Sequence, residues 1–222
     1  MDFINYCISN ELDKAKILYE ENTYDINKII YDTNTSDIQG PYSLFECMCI
    51  KNHLDFVKWF IELGVNDIHY NDGFISACQY NNFEIVEYLY DNRNEIKLDY
   101  EASFVVSCHL GHIELVKWLY SNQHEQIDIH SRNETPFLYA IEQNHFELCK
   151  WLYYISIAND TLIDIHVDNN LPFLYACYNG RLDICEWLYL ISNHTIDKNI
   201  GLNDAILNGN QKLIEWLNKI DF

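Results

Sequence analysis

The chain has 222 residues and a formal net charge of −20, from 34 acidic and 14 basic side chains. Apolar residues make up 49% of it, enough for a packed interior and too many for a disordered chain. That charge repels phosphate backbones and anionic headgroups, so nucleic acid and membrane surfaces are excluded as partners, and a basic or mixed protein surface is the natural complement.

The N-terminal Met1-Asp2-Phe3-Ile4-Asn5 lacks the charged and apolar regions of a signal peptide. No apolar stretch approaches the ~18 residues that a membrane-spanning helix needs. A cytoplasmic location is expected, with nucleus and virion left open.

One thirteen-residue pattern recurs along the chain, starting at Tyr6, Met48, Ala77, Ser107, Ala140, Ala176 and Ala205. Counting each start as position 0, the copies end at +12 with Leu18, Phe60, Leu89, Leu119, Leu152, Leu188 and Leu217. A period near 30 residues marks a stacked repeat array. The apolar positions are 0, +1, +6, +9 and +12. The last three form one face of an amphipathic helix and the first two belong to a preceding helix.

Position +4 is Asn10, Asn52, Asn81, Gly111, Asn144, Gly180 or Gly209. Asn and Gly tolerate left-handed backbone, so the first helix is expected to end there in a tight turn. Acidic residues at +7, such as Asp55, Glu114 and Asp183, suit the positive end of the second helix. At −3 stands a large apolar residue: Phe3, Phe45, Phe74, Phe104, Phe137, Phe173 or Leu202. Pro136 and Pro172 precede it at a helix-start position. Upstream lie short extended pieces, Asp67-Ile68-His69, Asp128-Ile129-His130 and Asp164-Ile165-His166, followed by Asn-rich turns. The predicted helix-pair cores are 3–19, 45–61, 74–90, 104–120, 136–153, 172–189 and 202–218, in a single array over residues 1–222. In the last copy Gln211 and Lys212 replace an apolar and an acidic residue, as expected of a terminal repeat with a polar outer face.

Five of the eight cysteines (Cys7, Cys49, Cys78, Cys108, Cys177) sit at +1, and Cys149 and Cys185 at +9. This ladder is expected to hold reduced core thiols rather than disulfides.

The order turn, helix, tight turn, helix, extended loop, with Gly-His-Ile-Glu-Leu-Val at 111–116 and Thr-Pro-Phe-Leu-Tyr-Ala at 135–140, resembles the ankyrin repeat. The resemblance covers essentially the whole chain. It implies an all-α solenoid of about seven helix-turn-helix repeats with a concave binding face. Leu138 and Leu174 replace the histidine of the family's Thr-Pro-Leu-His motif, so apolar packing must hold the helix start. The segment before the proline is short, so short, irregular hairpin loops are expected. The Ile-, Asn-, Tyr- and Asp-rich style resembles the ankyrin expansions of giant DNA viruses and amoebal genomes.

All five tryptophans fall at +11, and tyrosines follow at +13. A position repeated in every unit serves the stack, so this aromatic ridge is expected to pack. His69, His130 and His166 in successive loops stand too far apart to share one metal, and no Cys-x-x-Cys pair is present, so no metal or cofactor is expected. No Gly-x-Ser-x-Gly or phosphate loop occurs, and Cys108 beside His109 sits at a core position, so no enzymatic role is expected.

Binding remains. The resemblance places contacts in the loops before each first helix and at +2 and +3. These are His69, Asn71, Gln79 and Tyr80; Asp99, Glu101, His109 and Leu110; Arg132, Glu134, Glu142 and Gln143; then Asp168, Asn170, Tyr178 and Asn179. They differ between copies where the packing positions do not. A monomeric protein-interaction module is expected; the alternative is a structural or virion-associated scaffold that self-associates.

Overall fold

The computed structural model describes residues 2–22, 24, 29–31, 41–64, 69–92 and 96–219. Asp67 and Ile68, expected as an extended piece, lie outside the described residues. Two compact units are present, Met1–Val106 and Ser107–Phe222.

Fourteen α-helices occur among the described residues, as seven helix-turn-helix pairs. They are α1 (Asp2–Ile8) with α2 (Leu12–Glu21), α3 (Leu44–Ile50) with α4 (Leu54–Glu62), and α5 (Tyr70–Gln79) with α6 (Phe83–Asp91). Then come α7 (Tyr100–Leu110) with α8 (Ile113–Gln123), α9 (Ser131–Glu142) with α10 (Phe146–Ala158), α11 (Val167–Tyr178) with α12 (Leu182–Ile191), and α13 (Asn199–Leu207) with α14 (Gln211–Lys219). The fold class is thus the expected all-α solenoid. One addition was not anticipated, an antiparallel ribbon of β1 (Ile29–Tyr31) and β2 (Pro41–Ser43), with Ile30 opposite Tyr42. The ribbon leads into α3 through a capping box: Ser43 Oγ accepts from Glu46 N, and the Glu46 carboxylate accepts from Ser43 N.

The turn inside every pair has one cause. All seven +4 residues stand at positive φ, between 56° at Asn81 and 74° at Gly111. This left-handed residue reverses the chain, so the next helix starts two residues later. It also fixes where the +5 side chain goes. In the first unit His53 Nδ1 donates to the Cys7 carbonyl (3.1 Å), and Asn82 Nδ2 to the Cys49 and Ile50 carbonyls. In the second unit His145 Nε2 donates to the His109 carbonyl (3.1 Å). Each link reaches a carbonyl at the end of the preceding first helix, where the intrahelical ladder runs out. The space is tight: a Cβ on Gly111 would come within 2.3 Å of the His145 ring.

The −3 phenylalanines, from Phe3 to Phe173, are at most 1% exposed. The 0 and +1 positions are buried in the inner repeats, and all eight cysteines are buried and free. Burial pushes the Cys7 thiol up to about 12, and raises Cys49, Cys78 and Cys149 in the same way. One pair departs from the ladder: Cys177 and Cys185 lie with sulfurs 3.6 Å apart, at thiol hydrogen-bond distance and without a disulfide.

The second-helix stripe needs correction. Leu54, Phe83, Ile113, Phe146 and Leu182 at +6 are only half-buried, whereas Phe56, Ile85, Leu115, Leu148, Ile184 and Leu213 at +8 are at most 1% exposed. The core face is therefore +8, +9 and +12, an i, i+1, i+4 stripe.

The aromatic ridge packs, and in a defined way. The +13 tyrosine meets the +11 tryptophan of the next repeat edge-on: Tyr19–Trp59 at 82°, Tyr120–Trp151 at 84°, Tyr153–Trp187 at 85° and Tyr189–Trp216 at 87°. The centroids are 5.4–5.8 Å apart, and such pairs contribute about 0.5–1.5 kcal/mol each. The indole N–H does not always reach an oxygen: Trp187 Nε1 is buried with no partner among the described residues.

The +5 hydrogen bond acts as a latch between repeats. Gly111→Ala should lose more stability than Gly209→Ala, although both force alanine into left-handed backbone at about 1–2 kcal/mol. A Cβ on Gly209 meets nothing within 4 Å, while one on Gly111 displaces His145; the lost hydrogen bond adds roughly 1 kcal/mol in urea unfolding. Burial also lowers the pKa of His53 and His145 below 6.5. The unfolded chain then binds more protons than the folded one, so this stability is complete above 6.5 and is lost as pH falls below it. A His53→Asn/His145→Asn variant should show a shallower fall in melting temperature between pH 7 and 5 than the parent chain.

Candidate partner-binding site

In the second unit, four of the expected contact residues come together. Glu142 and Gln143 close α9, Tyr178 and Asn179 close α11, and all four line one open cavity. Asn144, Leu171, Leu174, Tyr175 and Asp204 complete its wall, and its volume is about 530 Å³. Two further links shape the rim. Asn179 Nδ2 donates to the Glu142 carbonyl (2.8 Å), and Asn208 Nδ2 to the Tyr178 carbonyl (3.0 Å). Asn179 is thus engaged through its amide nitrogen in joining repeats, while Tyr178 projects, 61% exposed. The Tyr175 phenol is raised by burial, then by the charges of Glu142 and Asp168 and by Tyr139.

The first turns of α9 and α11 are unusual. Arg132, Asn133 and Glu134 all stand at positive φ, as do Asp168, Asn169 and Asn170. Each triplet makes one left-handed turn, closed by Glu134 N to His130 O and by Asn170 N to His166 O, before right-handed helix continues through the proline. Left-handed backbone costs roughly 1–2 kcal/mol per residue, less for Asn. Side chains pin the turns in place. His130 Nδ1 donates to the Glu134 carboxylate (3.0 Å), His166 Nδ1 to Asn170 Oδ1, and in the first unit His69 Nδ1 to Asp72 Oδ2 (3.0 Å). Asn133 Nδ2 joins the two turns by donating to Asp168 Oδ2.

A family model for ankyrin repeats in three copies matches residues 74–161 and, in a second placement, 103–201. The chain belongs to the ankyrin-repeat family. Among solved structures, the human ASB11 ankyrin repeat domain is similar with a TM-score of 0.61 and 15% identity, over 88% of this chain and 84% of that one. That likeness speaks for the fold. A search of curated proteins finds no match.

The ankyrin geometry sorts the remaining expected residues. In the first unit Gln79 and Tyr80 are exposed at the end of α5. Asn71 Oδ1 accepts from Asp99 N (2.7 Å), and Asp99 Oδ1 in turn accepts from Ala102 N, so both shape loops. Glu101 is half-buried. In the second unit Leu110 is 40% exposed, and His109 stacks on Tyr139 at 4.7 Å. Arg132 and Asp168 are exposed. Glu134 requires a correction: it is 7% exposed, and Oε1 accepts from both His130 and Asp164 N (3.0 Å). It holds the stack rather than presenting itself to a partner.

Sequence reasoning missed Leu171, Leu174, Tyr175 and Asp204. Tyr175 and Asp204 occupy position −1, one helical turn before +2 and +3 and therefore on the same face. That position runs Asn5, Cys47, Ser76, Val106, Tyr139, Tyr175, Asp204, as varied as the positions that were chosen. Leu138, in place of the motif's histidine, is 9% exposed, and Leu174 is half-buried at the cavity. Among the described residues no cluster of His, Cys, Asp or Glu has the makings of a metal site, and no helix is long and apolar enough to cross a membrane.

Glu134→Ala should cost about 1–3 kcal/mol, because the Asp164 amide and His130 lose their acceptor. Arg132→Ala, two residues away and exposed, should stay within roughly 0.5 kcal/mol. Chemical unfolding of both variants decides whether Glu134 is structural.

Proposed function

We propose that this ankyrin-repeat protein is a non-catalytic, monomeric module that holds a partner protein of basic or mixed surface on its concave face. Ankyrin repeats generally mediate protein–protein interaction, and one observation supports the finer reading here. The +2 and +3 side chains of neighbouring repeats, Glu142, Gln143, Tyr178 and Asn179, converge on a single open cavity with tyrosines in its wall. A site at the ends of first helices is built on rigid elements, and exposed aromatics are the residue type that dominates interface energetics. The exposed loop residues Arg132 and Asp168 extend the same surface. A cytoplasmic setting accords with eight free cysteines. A host-factor binder of viral origin is one form of this reading, resting on the residue composition.

Affinity purification from native cells tests it. Proteins retained by the parent chain should be lost from a Glu142→Lys/Gln143→Ala/Tyr178→Ala variant, and recovery of all of them by that variant defeats the proposal.

A second reading has an observation of its own. Ile206 is 54% and Leu207 82% exposed, whereas Cys7, Cys49, Cys78, Cys108, Ile141 and Cys177, equivalent to Ile206, are at 0%. The polar outer face expected of the last copy holds for α14, where Gln211 and Lys212 are exposed, but not for α13. This apolar edge favours self-association. Light scattering should show a monomer at all concentrations if the first reading is right, and mass that grows with concentration if the second is.

A further inference from the structure

We infer that the cavity between α9, α11 and α13 receives an arginine side chain of the partner protein, its guanidinium against the tyrosine rings and between the carboxylates of Glu142 and Asp204. The inference rests on the interaction-module reading and names what that site recognises.

The wall holds two carboxylates and no Lys, Arg or His. Three cations of this unit are engaged with carboxylates outside the wall: Lys117 with Glu114, Lys150 with Glu147, and Arg181 with Asp183 through two bonds of 3.2 and 2.9 Å; Arg132 is exposed and is not a wall residue. Glu142 and Asp204 have no ion pair among the described residues. Asn144, also in the wall, carries a buried Oδ1 with no hydrogen-bond partner. The wall thus offers two carboxylates without an ion pair and one unsatisfied amide oxygen, and an entering group must donate to them or leave them stripped of water.

Tyr175 and Tyr178 add ring faces, which attract a cation once it is desolvated. The Tyr175 phenol is raised by burial first and then by the negative charge of Glu142, with Tyr139 and Asp168 adding to it. A planar guanidinium has five donors, can meet two carboxylates at once and stacks on rings, which an ammonium cannot match. A purely apolar side chain would suit Leu171 and Leu174 but would leave both carboxylates unpaired. Phosphate-bearing ligands would meet like charge.

The experiment is an NMR titration of the isotope-labelled full chain with N-acetyl-arginine methylamide, its lysine counterpart and its neutral citrulline counterpart. The arginine probe should give saturable, millimolar-range shifts confined to Glu142, Asn144, Tyr175, Tyr178 and Asp204. Citrulline should give none, and lysine should bind several-fold more weakly. A Glu142→Gln/Asp204→Asn variant should weaken the arginine probe at least tenfold. Tyr178→Phe should retain it and Tyr178→Ser should weaken it several-fold, with unchanged spectra elsewhere showing an intact fold. Equal binding of citrulline or lysine, shifts elsewhere, or indifference to the double substitution overturns the assignment. If arginine binds here while the concave-face variant keeps every cellular partner, the module reading fails, and with it the partner's arginine as the occupant; only the cavity's preference for a guanidinium stands. If partners are lost but the probe does not bind, only the cavity assignment fails.

Discussion

A single residue at positive φ governs each helix pair. Left-handed backbone at +4 costs an ordinary side chain roughly 1–2 kcal/mol, which explains why only Asn and Gly stand there. In return the second helix starts without a loop, and in three copies the +5 side chain is delivered onto the preceding repeat. His53, Asn82 and His145 all use that placement to reach a carbonyl at a helix end. Gly111 and Gly180 show the constraint from below, since a Cβ on either would strike the +5 residue of the next copy, His145 or Asn210. Turn geometry and stacking are therefore one requirement, met by two adjacent residues.

The aromatic ladder is the outer counterpart of that inner latch. Tyrosine at +13 and tryptophan at +11 meet at near right angles across successive repeats in each unit. Between the two, phenylalanines at −3 and small residues at 0 and +1 fill the interior. Cysteine serves there as a small apolar side chain, and burial holds the thiols protonated, which removes the reactivity a thiolate would bring.

Much of this was legible in the residues because the repeat supplies its own controls. Seven copies reveal which positions hardly change, and those positions proved to be the turn and the core, whereas the +5 latch, which varies from Glu11 to Arg181, shows only in three dimensions. What was illegible has physical causes. The choice of +6 over +8 failed because both carry apolar residues; only the helix's orientation toward its neighbours separates half-buried Ile113 from fully buried Leu115. The left-handed triplets before Pro136 and Pro172 were hidden because Asn-rich turns have many geometries, and the pinning bonds from His130 and His166 appear only in three dimensions.

The site was half legible for a deeper reason. Variation between copies separates what differs from what repeats, but it does not separate binding from local structure. Glu134 differs from its counterparts because one loop needs a carboxylate to hold the Asp164 amide and His130. Asn179, at a position chosen for its variability, spends its amide nitrogen on the Glu142 carbonyl. The side chains left over once such structural needs are met are the ones open to a partner. In the second unit three cations, Lys117, Lys150 and Arg181, are drawn to carboxylates of the second helices, at Glu114, Glu147 and Asp183. The first-helix face keeps its acids and its tyrosines. The chemistry that this face can offer a partner follows from how the stack has distributed its charges.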